Sequence, residues 1–461
     1  MKNRRNLIFI VLLNLVLVCA LTGVLLLSNR LVQQAPGSGA EVLMEEPDLV
    51  IVPPEEIVSG DGEKQMEAVS DDEDMAADGD DVQMDDTENA PDEQKEPVSE
   101  TENAAAAQKD AWIQEKLASM TIEEKVAQLF VLCPERLTGV SHVVAAGEVT
   151  KNAIDSFPVG GIIYMGSNIE TPQQITEMIA HTQAYAMDRI GIPLFISVDE
   201  EGGYVTRIAK NSNFHVPQFS YVSELGKSGD TSAAYEMGAA IGEYLEAYGF
   251  NVDFAPVADV LSNAENQVVK KRSFGSDAQL VSDMVLAELD GLASHNILGC
   301  VKHFPGHGAT VGDTHEGYAY TDKTWDELLT CEIVPFSDSI AKGVPMIMVG
   351  HISLPNVVGD GTPASMSECM VTGHLRNELG YDGIVLTDSL GMGAITDAYS
   401  SKQAAISVLK AGGDMLLDPV DFKSAYEGIL SEIASGGISE ERIDESVCRI
   451  LNVKYTLLEN R

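Results

Sequence analysis

The chain is poor in basic residues. Its 461 residues hold 29 Lys and Arg against 72 Asp and Glu, a formal net charge of −43. A general nucleic-acid binder needs a basic face, so that class is excluded. Cysteine is also scarce. Cys19, Cys133, Cys300, Cys331, Cys369 and Cys448 stand singly, with no C-x-x-C, so the spacing gives no disulfide framework. There is no G-x-G-x-x-G, no P-loop and no H-E-x-x-H, which removes the common nucleotide and zinc-hydrolase signatures. His303 and His307 are separated by Pro305-Gly306. That is a tight turn rather than a helix presenting two metal ligands. No metal site and no cofactor are expected.

The longest apolar run lies at the N-terminus. Lys2, Arg4 and Arg5 precede an apolar stretch over 7–27. About 20 such residues cross a bilayer, and a cleaved signal has a shorter core. Residues 1–30 are therefore expected to be a signal anchor. The basic flank leaves the rest of the chain extracytoplasmic, or secreted if the leader is cut. Residues 31–110 carry 25 Asp or Glu against Lys64, Lys95 and Lys109. Such a segment cannot bury enough apolar surface to offset its ordering entropy, so a disordered acidic linker is expected there. The folded domain would occupy 111–461.

From Thr121, apolar runs alternate with helical patterns. The expected strands are 126–133, 160–164, 194–198, 252–256, 299–303, 346–350, 383–387 and 414–417. The expected helices include 172–186, 232–248, 277–294, 324–342, 364–379, 400–411 and a last one over 439–457. Thr121 and Glu124 form a capping box before the first strand, where 123–130 also has helical periodicity. Eight alternations predict an α/β fold, a single (β/α)8 barrel of the TIM type.

The polar residues gather after the strands. Asp199-Glu200-Glu201-Gly202-Gly203 and Arg207 follow the third, and Asp253, Asp259 and Arg272 come with the fourth. Lys302-His303-Phe304-Pro305-Gly306-His307-Gly308 and Asp313-Thr314-His315 follow the fifth, His351 the sixth, and Asp388-Ser389 the seventh. A barrel binds substrate on that rim. An Asp two residues before a His can orient the imidazole for general acid–base work. Asp388, alone on another strand end, could be a nucleophile. A nucleophilic carboxylate facing an acid/base is the plan of a retaining glycosidase.

These motifs resemble glycoside hydrolase family 3, in its bacterial β-N-acetylglucosaminidase branch. The likeness rests on 123–130, 198–203, 253–260, 272–275, 302–308 with 313–315, and 384–392, in that order. It implies Asp388 as catalytic nucleophile, His315 as acid/base and Asp313 as its dyad partner. It implies that Asp199, Arg207, Arg272, Lys302 and His303 hold the sugar. The implied activity is a retaining exo-β-N-acetylhexosaminidase acting on carbohydrate, either peptidoglycan fragments or chitin-like oligosaccharides. A β-glucosidase or β-xylosidase of the same family, a phosphorylase, and a non-catalytic wall-binding barrel are the alternatives. Glu200, Tyr204 and Ala309 depart from the family's usual Gln, Arg and Asp. No second α/β domain follows the eighth strand, which favours the His–Asp branch.

Overall fold

The computed structural model describes residues 100–459, apart from 315, 316 and 318. The expected anchor over 1–30 and most of the acidic linker lie outside the described residues. Among the described residues no helix is long and apolar enough to cross a membrane.

Eight short parallel strands form one sheet. They are β1 Phe130–Leu132, β2 Gly161–Ile163, β3 Phe195–Val198, β4 Val252–Asp253, β5 Leu298–Phe304, β6 Met346–Val349, β7 Ile384–Thr387 and β8 Leu416–Leu417. Neighbours in space follow chain order, with β8 also pairing with β1. The sheet nearly closes. β7 meets β8 through a single parallel bridge, Leu386 to Met415, with the Thr387 N–H donating to the Met415 carbonyl at 3.1 Å. Strands in such a barrel are covered on both faces, and every residue of β1, β2, β3, β6 and β7 is buried. Aromatic side chains lock strands to the surrounding helices. Phe130 meets Phe422 of helix Phe422–Ala434 at 5.0 Å, and Phe304 meets Phe336 of helix Val334–Lys342 at 5.4 Å, both edge to face.

All eight expected strands are present, most of them shorter than the apolar runs. The first run is divided. Thr121 Oγ1 accepts the Glu124 N–H at 3.3 Å, and Glu124 Oε2 accepts the Thr121 N–H at 3.0 Å. This cap starts helix Ile122–Gln128, leaving only 130–132 to the sheet. The expected helix over 324–342 breaks into Trp325–Leu329 and Val334–Lys342, the latter opened by Pro335. The stretch 364–379 becomes a 3-10 turn, Ala364–Met366, and a π-type helix, Cys369–Glu378.

The boundary at 110 is also corrected. Helix Glu100–Ser119 starts ten residues earlier, through a run of alanines at 104–107. Alanine is the best helix former, so local propensity extends the helix into acidic sequence. Its C-terminal half docks on the barrel. Ile113 is buried, and Trp112 packs edge to face on Tyr455 of the last helix at 5.5 Å. Ile113→Ala is expected to cost about 2–4 kcal/mol, read as a lowered urea midpoint at unchanged m. An unchanged midpoint would mean that this helix is not part of the cooperative unit.

Candidate active site

The C-terminal ends of the strands surround one cavity of about 1340 Å³. It is lined by Asp199, Arg207, Arg272, Lys302, His303, Asp313 and Asp388. These are all the residues proposed from sequence except His315, which lies outside the described residues.

The loop after β3 doubles back sharply. Gly202 and Gly203 take φ of 81° and 58°, and a Cβ on Gly203 would stand 2.4 Å from the Ser220 carbonyl oxygen. Only glycine fits that turn. Glu200 then ties the returning strand of the loop. Its carboxylate accepts the N–H groups of Arg207, Ile208 and Ala209 at 2.6, 2.9 and 2.8 Å, and the Tyr244 hydroxyl at 2.9 Å. Four donors converge on two oxygens, which suits an all-acceptor carboxylate. This is a structural account of Glu where the family usually has Gln. Burial nonetheless pushes the Glu200 pKa up, because the hydrogen bonds offset only part of the desolvation.

A run of alternating charges crosses the cavity floor. Arg207 Nη2 reaches Asp199 Oδ2 at 3.2 Å, and Lys302 Nζ reaches Asp199 Oδ1 at 2.9 Å. The same ammonium lies 2.6 Å from Glu201 Oε1. Arg272 grips Glu201 with Nε and Nη2, both at 2.7 Å. Burial alone would raise the Glu201 pKa, but Arg272 and Lys302 hold it far below the usual carboxylate range. Lys302 is the converse. Burial would lower its pKa, and Asp199 and Glu201 raise it instead.

His303 ends the run. Arg272 Nη2 lies 3.3 Å from its Nε2 and Asp259 Oδ2 lies 2.7 Å from its Nδ1. A guanidinium only donates, so Nε2 is the acceptor and Nδ1–H donates to Asp259. Asp259 also accepts the His307 N–H at 2.6 Å, which fixes the turn that follows β5. The His307 ring faces Thr310 Oγ1 at 2.9 Å and Thr314 Oγ1 at 3.3 Å. It braces the loop that carries Asp313, and burial holds its pKa down.

Asp388 stands at the end of β7. Its N–H donates to the Val349 carbonyl at 2.9 Å, and its Oδ1 accepts the Ser389 N–H at 2.7 Å. Burial would raise its pKa. His303, His351, the Ser389 N–H and Lys302 overcome that and hold it below the ordinary value. The carboxylate is thus kept ionised, as a nucleophile must be. His351 supports it from behind. Its Nε2 lies 3.0 Å from the Ser389 carbonyl and its Nδ1 lies 2.8 Å from Ser365 Oγ. Asp253 is buried and does not line the cavity; it accepts the Glu200 N–H at 2.9 Å. Among the described residues no group of three His, Cys, Asp or Glu could hold a metal ion.

The family model described as the glycosyl hydrolase family 3 N terminal domain matches residues 121–453. The chain belongs to glycosyl hydrolase family 3. It is 31% identical over 348 residues to beta-hexosaminidase LpqI of Mycobacterium tuberculosis, covering 73% of this chain and 84% of that protein. It is 32% identical over 326 residues to beta-hexosaminidase A of Pseudoalteromonas piscicida, covering 66% of this chain. The chain spans about half of that relative's length, 54%. A solved structure of a family 3 beta-N-acetylglucosaminidase from Paenibacillus sp. superposes with a TM-score of 0.70 at 36% identity. The match covers 74% of this chain and 64% of that one. The family and these relatives make the chain a glycoside hydrolase.

Glu201 and Asp259 are the site residues that sequence reasoning left out. Both occur in the motifs quoted for the family, but an acid beside Asp199 or after β4 carries no periodic signal for its partner. Glu201 is the shared counter-ion of two buried cations. Glu201→Gln would leave those charges under-compensated in a dry site. A loss of about 3–5 kcal/mol of stability is expected, read by thermal unfolding. A change below 1 kcal/mol would show that Asp199 alone suffices for both cations.

Proposed function

We propose that this glycosidase is a retaining exo-β-N-acetylhexosaminidase. It would release terminal N-acetylglucosamine from peptidoglycan fragments or chitin-like oligosaccharides. The observation that carries the reading is Asp388, a carboxylate kept ionised at the edge of a cavity whose other polar groups are mutually paired. The relatives named beta-hexosaminidase support the choice of sugar.

In this mechanism Asp199, Arg207, Arg272, Lys302 and His303 hold the terminal sugar, trading some of their mutual contacts for its hydroxyl and acetamido oxygens. Asp388 attacks the anomeric carbon as the glycosidic C–O bond breaks. His315, oriented by Asp313, donates its proton to the departing oxygen. Water then loses a proton to His315 and displaces Asp388, restoring the original configuration. Neither step calls for a cofactor.

His315→Ala should reduce cleavage of a disaccharide by 10²-fold or more, since a sugar alkoxide cannot leave unprotonated. On an activated aryl N-acetylglucosaminide the first step should survive, giving a burst and a trapped ester on Asp388. Azide should restore turnover and yield the β-glycosyl azide. Equal losses on both substrates, without burst or rescue, would move the acid/base role to another group. Aryl glucosides assayed beside aryl N-acetylglucosaminides separate this activity from that of a β-glucosidase.

We also propose that residues 1–30 anchor the enzyme with its barrel on the extracytoplasmic side. The full chain should then sediment with membranes, and a chain beginning at residue 100 should stay in the supernatant with its activity intact. Full-length enzyme found wholly in the soluble fraction would refute the anchor.

A further inference from the structure

Lys302, Arg207 and Arg272 are each paired with a carboxylate. Two other cations near the cavity mouth are not. Lys210 Nζ lies 5.2 Å from the centre of the Tyr204 ring and donates to the Tyr204 carbonyl. Lys271 Nζ lies 5.0 Å from the Tyr204 ring and 4.5 Å from the Tyr221 ring, with the Tyr221 hydroxyl at 3.4 Å. A ring face holds an ammonium without neutralising it. No ion pair joins either lysine to a described carboxylate. In a chain with a net charge of −43, two lysines left without a counter-ion beside the active site need a reason.

The space beside them is built for a ligand. A second cavity of about 490 Å³ adjoins the first, sharing Met165 and Arg207 with it. Lys210, Thr206 and Asn211 complete its wall. The Thr206 hydroxyl has no hydrogen-bond partner in the protein. Tyr204 and Tyr221 are 46% and 41% exposed, and Tyr204 lines the main cavity. Position 204 is also one where this chain departs from its family's usual Arg.

We propose that this second cavity, flanked by Lys210, Tyr204 and Lys271, is the leaving-group subsite and selects a saccharide bearing a carboxylate. The proposal rests on the hexosaminidase reading and narrows its substrate class to acidic glycans. A sugar chain that leaves the main cavity past Arg207 and Met165 enters the second one. The two ammonium groups then face its carboxylate, while Arg207 remains tied to Asp199.

Three β-linked disaccharides test this, each with N-acetylglucosamine at the non-reducing end. In one the leaving sugar is neutral N-acetylglucosamine, in the second it carries a carboxyalkyl ether, and in the third that acid is the methyl ester. At low salt the wild-type kcat/KM should favour the acid over its ester by about tenfold, the scale of two exposed ion pairs. The ratio should fall towards one in high salt, where exposed charges are screened. It should also fall towards one in the Lys210→Gln/Lys271→Gln variant. A wild-type ratio near one, or a ratio unchanged in the double variant, overturns the subsite while leaving the hexosaminidase intact. Failure to cleave any of the three, the neutral one included, would overturn the hexosaminidase reading and this proposal with it.

Discussion

The site depends on one buried ammonium. Lys302 is almost wholly removed from water, yet two carboxylates keep it charged, Asp199 at 2.9 Å and Glu201 at 2.6 Å. An isolated charge there would cost several kcal/mol to desolvate. The pairing offsets that cost, and it ties β5 to the loop after β3. Arg272 and Arg207 then extend the network to the loops beyond. Removing any member leaves another buried charge without its partner, so these residues stand or fall as a unit.

The same network sets the chemistry of Asp388. A carboxylate at the end of a buried strand would tend to take up a proton. The positive field of the network, with the Ser389 N–H, holds it ionised instead. The sugar-holding residues therefore contribute twice, to binding and to the charge state of the attacking group. Asp259 has a quieter part. By accepting from Nδ1 it leaves the other His303 nitrogen as an acceptor towards Arg272, so the relay needs no second charge on the ring.

Glu200 and Tyr204 show two kinds of departure from a family pattern. Glu200 has four donors waiting for it inside the loop, and its effect is to place Arg207. Tyr204 has no such internal partner set. Its ring is exposed at the cavity mouth between two lysines, and its effect is directed outward, towards what the sugar is attached to.

The eight strands were legible because a strand buried on both faces must be apolar throughout, and each run stood out against a helical pattern. The catalytic and sugar-holding residues were legible because barrel chemistry gathers at strand ends, where polar residues interrupt those runs. Where a helix begins was less so. Alanines carried helix Glu100–Ser119 into acidic sequence, and a capping box took the start of the first apolar run. Partnership could not be read at all. Glu201 with Lys302, Asp259 with His303, and Lys210 with Lys271 about one tyrosine are contacts between distant segments. The sequence by itself determined which groups are present and on which rim they stand. Only closure of the barrel decided which charges meet, because hydrogen bonds and ion pairs depend on distances of a few ångströms that the chain's order does not contain.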